Sequence, residues 1–446
     1  MIWTRPGDED YDERRALFNA MWDKRPAIIA NCADPSDVSM ALDHARRERM
    51  TVAVRAGGHS VAGMSSVDDG LVIDVRPMKS IQVDPVARVA VVGAGVTWGE
   101  LDAATQQHGL AVTGGRVTTT GVAGFTIGGG SGWLDRKYGL ACDNLRALDV
   151  VTADGRELHV DSTRHPDLFW ALHGGGGNFG VVTSLEFDLH PVGPTVQAGF
   201  FAWPTAERGA EIARAYRDWA TGAPEELGSW LLMIDGPDED FVPEHLKGEN
   251  IALLCALWAG DPDDGHDYVQ PLRELGPAID MMQPRPYTEF QSILDDVPGN
   301  RHYWSADYHD QLPDEALDVF IRSALDAPSP LTQQIFFAWG GAAARVPEDA
   351  TPMTQRSAAW VSHPFAVWQN AADDAENIAW VRDFRRDIEP WTNGGVYLNF
   401  IGDEGADRIR SAFGERKLQR LVQVKTEHDP HNVFRGNQNI APMVPA

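Results

Sequence analysis

The chain has 446 residues, 43% of them hydrophobic, and a formal net charge of −27 at pH 7. A chain of this length is longer than one hydrophobic core usually serves, so we expect two folding units. The negative charge argues against nucleic acid and anionic membranes as partners, because both carry charge of the same sign. The three cysteines are too few for a disulfide framework, and no histidine or cysteine spacing fits a metal site.

No apolar run approaches the roughly 20 residues that a membrane span needs. The N-terminal segment, MIWTRPGDEDYDERR, lacks the apolar stretch of a signal peptide. These patterns predict a soluble, cytoplasmic protein whose partner is a small molecule.

Periodicity and turn residues predict alternating helices and strands in the first part of the chain. Asp34 and Pro35 suit the N-cap and first position of a helix, and Thr97 with Glu100 has capping-box spacing. The glycine-rich stretch 114–132 suggests backbone that lies close to something flat or anionic. The expected elements are helices over residues 11–22, from 35 and over 97–107, strands over 27–30, 51–55, 71–75, 89–92 and 181–189, and a hairpin of 148–153 with 157–160.

After Pro191 the glycine clusters cease, and strand patterns alternate with amphipathic helices. This change predicts an α+β unit around an antiparallel sheet. The expected strands are 230–234, 251–258, 334–339 and 364–368, and the expected helices include 207–219 and 314–325. We therefore expect one domain over residues 1–192, a second over 193–393, and a C-terminal segment over 394–446 with a further strand and two short helices.

Two short motifs resemble known sites but lack what those sites need. Gly93, Gly95 and Gly99 have the spacing GxGxxxG, and no acidic residue follows about 20 positions later to hold a ribose, which favours a plain strand-to-helix turn. Gly58-His59-Ser60 resembles the nucleophile elbow of a serine hydrolase, with Ser60 as nucleophile. The residues after Ser60 predict a loop where an elbow needs a helix, so the hydrolase is kept as an alternative function.

Two glycine-rich segments each lie near one reactive side chain. His59 follows Gly57 and Gly58, whose backbone N–H groups could form a nest for a pyrophosphate. Cys142 follows the glycine-rich run 128–132 by ten residues. From the residues alone this predicts a dinucleotide-like cofactor on glycine-rich loops, with an ordinary loop histidine and buried thiol as the alternative.

Four segments occur in an order that is typical of one family. They are RAGGHS at 55–60, GVAGFTIGGGSGWL at 121–134 with RKYGLACDN at 136–144, DLFWAL at 167–172, and YLN at 397–399 followed by DPHNVF at 429–434. They resemble the berberine-bridge-enzyme-like branch of the vanillyl-alcohol-oxidase superfamily, whose members carry a PCMH-type FAD-binding domain. The resemblance covers nearly the whole chain.

The resemblance implies an α+β fold in which a two-lobed FAD-binding domain is interrupted by a substrate domain with an antiparallel sheet, and a tail that returns to the flavin. It also implies two covalent bonds to FAD, from His59 to the 8α-methyl group and from Cys142 to C6. Such bonds would raise the potential of the flavin, so that it accepts a hydride from a poor donor such as an alcohol. The residues expected to contact the cofactor are Arg55, Ala56, Gly57, Gly58, Ser60, Gly63, Thr119, Thr120, Gly121, Gly124, Thr126, Gly128, Gly129, Val181, Val182, Asn399, Asn437 and Asn439.

The implied activity is that of an oxidase, which moves a hydride from an alcohol or amine carbon of a sugar or secondary metabolite to the flavin while O2 is reduced to H2O2. A dehydrogenase that reacts poorly with O2 is the alternative, because the bulky Leu145 lies near the place where the family controls oxygen access.

The catalytic base is expected to be a tyrosine. Sugar-oxidising relatives often carry a second tyrosine where this chain has Phe400, so Tyr397 is the expected base. Tyr138, Tyr303 and His302 are held in reserve. Phe400 favours an apolar metabolite over a sugar, and aromatic residues of the middle domain could line a pocket for it or form ordinary core. They are Trp230, Phe290, Tyr303, Trp304, Phe336, Phe337, Trp339 and Trp368.

Overall fold

The structure is a computed structural model that describes residues 1–402 and 404–443. The strands before residue 192 are β1 (Ile2–Thr4), β2 (Ile28–Asn31), β3 (Val52–Arg55), β4 (Leu71–Asp74), β5 (Ile81–Asp84), β6 (Val89–Gly93), β7 (Leu110–Ala111), β8 (Leu145–Val151), β9 (Glu157–Asp161), β10 (Val181–Asp188) and β11 (His190–Pro191). The helices of this part are α1 (Tyr11–Arg15), α2 (Pro35–Glu48), α3 (Trp98–Gln106), α4 (Val122–Ile127), α5 (Asp135–Tyr138) and α6 (Pro166–Ala171).

The first lobe is a four-stranded sheet in the order β1-β2-β4-β3, in which β2, β4 and β3 run parallel. Parallel neighbours need a crossover, and α2 lies on the path from β2 to β3. The helix begins as predicted, because the Asp34 side chain accepts a hydrogen bond from the Asp37 N–H at 3.0 Å. The loop after β3 therefore leaves the sheet at its carboxyl edge, where ligands of parallel sheets commonly bind.

The second lobe is an antiparallel five-stranded sheet in the order β5-β6-β10-β8-β9. The predicted hairpin is β8 with β9. The predicted capping box is also present, since Glu100 Oε2 accepts a hydrogen bond from the Thr97 N–H at 2.8 Å. A Cβ at Gly95 would lie 2.3 Å from the Val75 carbonyl oxygen. The GxGxxxG motif is thus a tightly packed strand-to-helix turn, as the sequence predicts.

The middle of the chain forms a nine-stranded sheet with helices on one face. Its strands are β12 (Thr195–Pro204), β13 (Leu227–Asp235), β14 (Asn250–Trp258), β15 (Ile279–Asp280), β16 (Gln283–Pro286), β17 (Arg301–Trp304), β18 (Asp307–His309), β19 (Gln333–Ala338) and β20 (Trp360–Trp368). The helices are α7 (Thr205–Ala220), α8 (Pro262–Tyr268), α9 (Gln270–Glu274), α10 (Tyr287–Gln291), α11 (Asp314–Leu325), α12 (Ala342–Arg345) and α13 (Asp374–Ile388). All strand pairs in this sheet are antiparallel, as predicted.

The two faces of this sheet have different neighbours, because side chains alternate along each strand. Leu231 and Phe336 belong to a core with Phe320 of α11 and Phe384 of α13. Trp230, one residue earlier in β13, belongs to the core shared with the first two lobes. One sheet face is thus covered by helices, and the other faces the N-terminal lobes.

The first predicted helix and the tail differ from expectation. The helix ends at Arg15 instead of near residue 22, because the buried Asn19 has to bond the backbone of other segments. No strand occurs between residues 396 and 402, where Leu398–Phe400 forms a 3-10 turn. The helix α14 (Ala406–His428) follows, and it is interrupted at Gly414, where φ is +67°.

Within residues 1–402 and 404–443, no group of three or more His, Cys, Asp or Glu side chains could hold a metal ion. None of the helices in the described part of the chain is long and apolar enough to cross a membrane.

Candidate active site

A cleft of about 350 Å³ lies between the glycine-rich loops and the uncovered face of the nine-stranded sheet. One wall consists mainly of backbone and small side chains, from residues 56–61, 120–121, 123–124 and 176–178. The opposite wall consists of large side chains of the sheet. The cleft thus combines a wall that a flat or anionic ligand can approach closely with a wall that can bury apolar groups.

The two glycine-rich loops cross each other backbone to backbone. A Cβ at Gly57 would lie 2.3 Å from the Gly121 nitrogen, and a Cβ at Gly121 would lie 2.3 Å from the Gly57 nitrogen. The next residue, Gly58, has a φ of +77°, a region that favours glycine. No side chain fits at the crossing, so the segment RAGGHS and the stretch 114–132 meet there because both supply glycine.

His59 leaves this crossing toward the cleft. Its Nε2 lies 2.9 Å from Thr119 Oγ1 and its Nδ1 lies 3.4 Å from Thr120 Oγ1. Burial and the charge of Arg55 lower the pKa of His59 to about 4. The imidazole is therefore neutral near pH 7, and neutral imidazole has the free nitrogen lone pair that a covalent bond needs.

Phe18 and Asn19 hold the His59 loop against the middle of the chain, a role that the sequence did not predict. The Phe18 ring stacks on His59 at 4.2 Å and on His302 at 4.9 Å between centroids. The Asn19 amide donates to the carbonyls of Val61 and His302 at 2.8 and 2.9 Å. Asn19 is fully buried, so these bonds tie the loop to strand β17.

The sheet wall consists of rows of side chains on neighbouring strands. Ile335 pairs with His363, and Gln333 pairs with Phe365. On the other side of β20, Phe365 pairs with Trp304 of β17. The centroids of these two stacked rings lie 4.2 Å apart. These residues line the cleft together with Trp230. The wall is thus the inward face of four neighbouring strands, β13, β19, β20 and β17, built by period-two alternation.

His363 presents one nitrogen to this cleft. Its Nδ1 lies 2.7 Å from the Ser305 carbonyl oxygen, so Nδ1 carries the proton and donates it. Nε2 then carries the lone pair, and within the described residues it makes no hydrogen bond. The ring stacks on Phe400 with centroids 4.2 Å apart. Burial lowers the pKa of His363 to about 4, which leaves it neutral near pH 7.

Among the described residues, the ionisable side chains that line the cleft are His59, Arg116, Asp296 and His363. Burial raises the pKa of Asp296. Neither Arg116 nor His363 was singled out from the sequence. His363 precedes Pro364, where the sequence predicts that the strand begins, and Arg116 lies in the stretch 114–132, whose dominant sequence feature is its glycines.

Comparison with known proteins agrees with this geometry. Residues 26–161 match the family model described as FAD binding domain, and residues 396–441 match the model described as Berberine and berberine like. The FAD-linked oxidoreductase YgaK of Bacillus subtilis (strain 168) is 31% identical over 98% of this chain and 96% of its own length. The chain belongs to the berberine-bridge-enzyme-like family of FAD-linked oxidoreductases.

Two further proteins are similar to this chain, one in sequence and one in structure. (R)-6-hydroxynicotine oxidase of Paenarthrobacter nicotinovorans is 29% identical over 98% of this chain and 96% of that protein. The crystal structure of 6-hydroxy-D-nicotine oxidase from Arthrobacter nicotinovorans has a TM-score of 0.89 and 26% identity, with coverage of 99% of this chain and 98% of that chain. The predicted family and fold class are confirmed.

Some of the residues that were predicted to contact FAD line the cleft. The predicted residues that line it are Ala56, Gly57, Gly58, His59, Ser60, Thr120, Gly121, Gly124, Gly128, Val182, Asn399 and Asn437. Those that do not line it are Arg55, Gly63, Thr119, Thr126, Gly129, Cys142, Val181 and Asn439. Thr119 still reaches the site through its contact with His59.

Several of the remaining residues have structural roles. Arg55 donates hydrogen bonds to the carbonyls of Arg14 and Ala16 and so fixes the segment after α1. Gly63 lies under an aromatic ring, since a Cβ there would be 2.3 Å from Trp22 Cγ. These positions are constrained by packing within the protein.

Cys142, the expected second attachment point, does not line the cleft. It lies on a 3-10 turn, Ala141–Asn144, and is 0% exposed. Its Sγ lies 3.7 Å from Asp143 Oδ1, and the Asp143 carboxylate forms a bidentate ion pair with Arg356 at 2.8 and 2.9 Å. Burial and the Asp143 charge raise the pKa of Cys142 well above its usual value. The reactive thiolate is therefore disfavoured.

Tyr397 is also buried behind the cleft wall, which argues against its expected role as base. It is 1% exposed, and its hydroxyl oxygen accepts hydrogen bonds from the Gly130 and Ser131 N–H groups at 2.8 Å each. Burial raises the pKa of Tyr397 above its usual value. The residue thus anchors the glycine-rich turn after α4.

Replacing Tyr397 by Phe should lower stability more than catalysis. Two buried N–H groups would lose their acceptor, which costs about 1–3 kcal/mol in the free energy of unfolding. The kcat should stay within about tenfold of wild type, since loss of a true base costs about 100-fold or more. Urea denaturation and steady-state kinetics of the same preparation test this. A larger loss of kcat without a loss of stability would restore Tyr397 as the base.

The other reserve bases also lie outside the cleft. Tyr138 donates to the Pro191 carbonyl at 3.2 Å and stacks on His190. Tyr303 points to the opposite face of β17 from Trp304 and packs with Trp368 and Trp380. His302 stacks on Phe18, where burial lowers its pKa to about 3. Of the eight aromatic residues considered for a pocket, Trp230 and Trp304 line the cleft.

The hydrolase alternative lacks its defining geometry. Ser60 Oγ accepts a hydrogen bond from the Met64 N–H at 3.2 Å, in a turn and not at the start of a helix. A nucleophile elbow needs a helix directly after the serine. Ser60 is therefore part of the loop wall.

Proposed function

We propose that this FAD-linked oxidoreductase is an oxidase, which holds its flavin through one covalent bond to His59 and oxidises an alcohol or amine carbon of an aromatic substrate. The observation that carries the proposal is the cleft itself. It joins a glycine wall with a neutral histidine to an aromatic wall with a second neutral histidine, His363. A cofactor and a substrate thus have separate, adjoining surfaces.

The loop wall suits a dinucleotide. Gly124 has no atom within 4 Å of the position that a Cβ would occupy, and at Gly176 and Gly177 the nearest such atom is 3.9 Å away. Backbone is therefore open to a ligand on this wall. Asn437 lines the cleft, and its Oδ1 is buried without a partner in the described chain. The backbone of 57–60, with Gly121, Gly124 and Asn437, would hold the FAD.

When bound, FAD would supply the acceptor for a hydride from the substrate carbon and the route of the electrons to O2. The chain itself must remove the hydroxyl or amine proton of the substrate. Nε2 of His363 suits this task, because it carries a lone pair, faces the cleft and is fixed by the bond from Nδ1 to Ser305. Stacking on Phe400 holds the plane of the ring. The base thus lies on the wall that would bind the substrate.

The wall around His363 favours a substrate with a planar aromatic ring over a sugar. Trp230, Trp304, Phe365 and Phe400 supply ring faces there, and Gln333 is one of the few uncharged polar side chains of the sheet that line the cleft. Sugars are bound through many hydrogen bonds, which this wall cannot supply. A similar protein carries the name (R)-6-hydroxynicotine oxidase, which denotes a substrate with an aromatic ring.

The test is a substrate screen on the yellow holoenzyme. It is followed by anaerobic bleaching of the flavin and by release of peroxide in air. Aromatic alcohols and amines, such as benzyl alcohol and benzylamine, are compared with glucose and xylobiose. We expect an aromatic compound to bleach the flavin under anaerobic conditions, and air to restore the colour with release of peroxide. Bleaching that air does not reverse would identify a dehydrogenase, and bleaching by sugars alone would contradict the proposed substrate class.

A further inference from the structure

Arg116 places a guanidinium inside the apolar part of the cleft. The residue lines the cleft and is only 7% exposed. Its Cζ lies 3.7 Å from the ring centroid of Trp230 and 4.5 Å from that of Trp133. Contact with aromatic faces favours the cation and fixes the plane of the fork. Burial lowers the pKa of Arg116 to about 10, which leaves it charged near pH 7.

This charge has no salt-bridge partner within the described chain, although the charge of the buried Asp135 opposes the effect of burial on the pKa of Arg116. Arg116 forms no ion pair with a carboxylate of residues 1–402 or 404–443. Its Nη1 donates to the Ser131 carbonyl at 3.4 Å, and its Nε is buried without an acceptor. The buried carboxyl group nearby, Asp135, accepts instead from Ser131 Oγ at 2.6 Å. Buried charges are normally paired, because an unpaired one is costly.

Aromatic rings lie beside Arg116. Trp230 stacks on Phe337 at 4.6 Å, and Phe400 stacks on His363 at 4.2 Å. Phe400 also lies edge-on to Trp230 at 6.4 Å. These rings connect Arg116 to His363 along one wall. A ligand on this wall meets a cation at one end and a proton acceptor at the other.

We propose that Arg116 binds an anionic group of the substrate, so that the enzyme oxidises planar aromatic compounds that carry a carboxylate. The carboxylate bonds the free N–H groups of the guanidinium, the aromatic ring lies against Trp230 and Phe400, and the oxidisable carbon lies on the side of His363. This substrate class rests on the proposed function. The reduced flavin is another source of negative charge, and the test separates the two.

The test measures binding of benzoate and of benzamide, which share a shape and differ in charge. Each is titrated into the holoenzyme and followed by the visible spectrum of the flavin. We expect benzoate to bind at least about tenfold more tightly than benzamide to wild type, since a charge-assisted hydrogen bond is worth about 10- to 100-fold. Arg116→Met should abolish this preference, and Arg116→Lys should keep part of it. Arg410→Met, an exposed arginine elsewhere, is the matched control and should keep all of it.

Equal binding of the two compounds to wild type would overturn the inference, and this result does not depend on whether any variant folds. A preference that persists in Arg116→Met would overturn it as well. A lowered reduction potential in Arg116→Met with unchanged preference for benzoate would assign the charge to the flavin, and so also contradict the inference. If the purified protein carries no flavin, the proposed function fails. Benzoate binding can still be followed by tryptophan fluorescence, so the two failures are distinguishable.

Discussion

Replacing His363 by Asn is expected to lower kcat by about 100- to 10,000-fold, the usual contribution of a general base. The Asn amide can still donate to the Ser305 carbonyl, as Nδ1 of His363 does at 2.7 Å. The variant therefore removes Nε2 and leaves the local hydrogen bond in place. We expect the amount of bound flavin and the melting temperature to change little, and stopped-flow reduction of the flavin by the substrate to be slowed.

The pH dependence gives a second readout of the same variant. A base works only when it has lost its proton, so activity that depends on His363 rises with pH through its pKa, about 4, and then levels. We expect kcat/KM of wild type to show this acid limb and the Asn variant to lack it. Asp296→Asn is the matched control, because Asp296 lines the same cleft and has a raised pKa. A loss of the limb in Asp296→Asn alone would transfer the role of base to Asp296.

Replacing His59 by Ala is expected to abolish covalent attachment of the flavin. The imidazole is the neutral nucleophile on the loop wall, and Ala leaves no group that could take its place. Acid precipitation separates bound from attached flavin, so the washed pellet of wild type should be yellow and that of His59→Ala colourless. Some flavin should appear in the supernatant of the variant, since the glycine wall remains.

Cys142→Ala is the matched control for that experiment. Cys142 is fully buried outside the cleft, so its pellet should remain as yellow as that of wild type. A colourless pellet from Cys142→Ala, in a protein that melts normally, would support attachment through Cys142. If His59→Ala and Cys142→Ala each released only part of the flavin, two covalent bonds would be indicated.

The glycine wall could be predicted from sequence because the requirement for glycine is local. Gly57 and Gly121 meet without room for a Cβ, and Gly58 has a positive φ. Only glycine satisfies such constraints, so they can be recognised directly in the amino-acid sequence. The same holds for the caps at Asp34 and Thr97, which depend on residues three positions away.

The direction of a side chain could not be predicted in the same way. Cys142 follows the glycine run closely, yet its environment is set by the ion pair between Asp143 and Arg356, which are 213 residues apart in the chain. Tyr397 belongs to the segment YLN that carries the family resemblance, and its hydroxyl turns to the backbone of Gly130. The sequence positions of Cys142 and Tyr397 thus indicate that they lie near the cleft. They do not indicate which surface each side chain faces.

His363 escaped prediction for a related reason. Proline removes a ladder donor and usually marks a strand edge, so the sequence predicts a strand that begins at Pro364. In the structure β20 runs through Pro364, because its partners on one side are two short strands, β17 and β18, with a break between them at residues 305–306. The proline lies opposite this break. His363 therefore belongs to the strand and alternates onto the cleft face with Phe365.

The most direct test of the account is a peptide map of the acid-denatured wild-type protein. Proteolytic peptides are separated, and those that carry the absorbance and mass of a flavin are sequenced. We expect one flavin-bearing peptide, which contains His59, and an unmodified peptide that contains Cys142. A flavin on the Cys142 peptide, or no flavin on any peptide, would contradict the assignment of the glycine wall and His59 as the site of attachment.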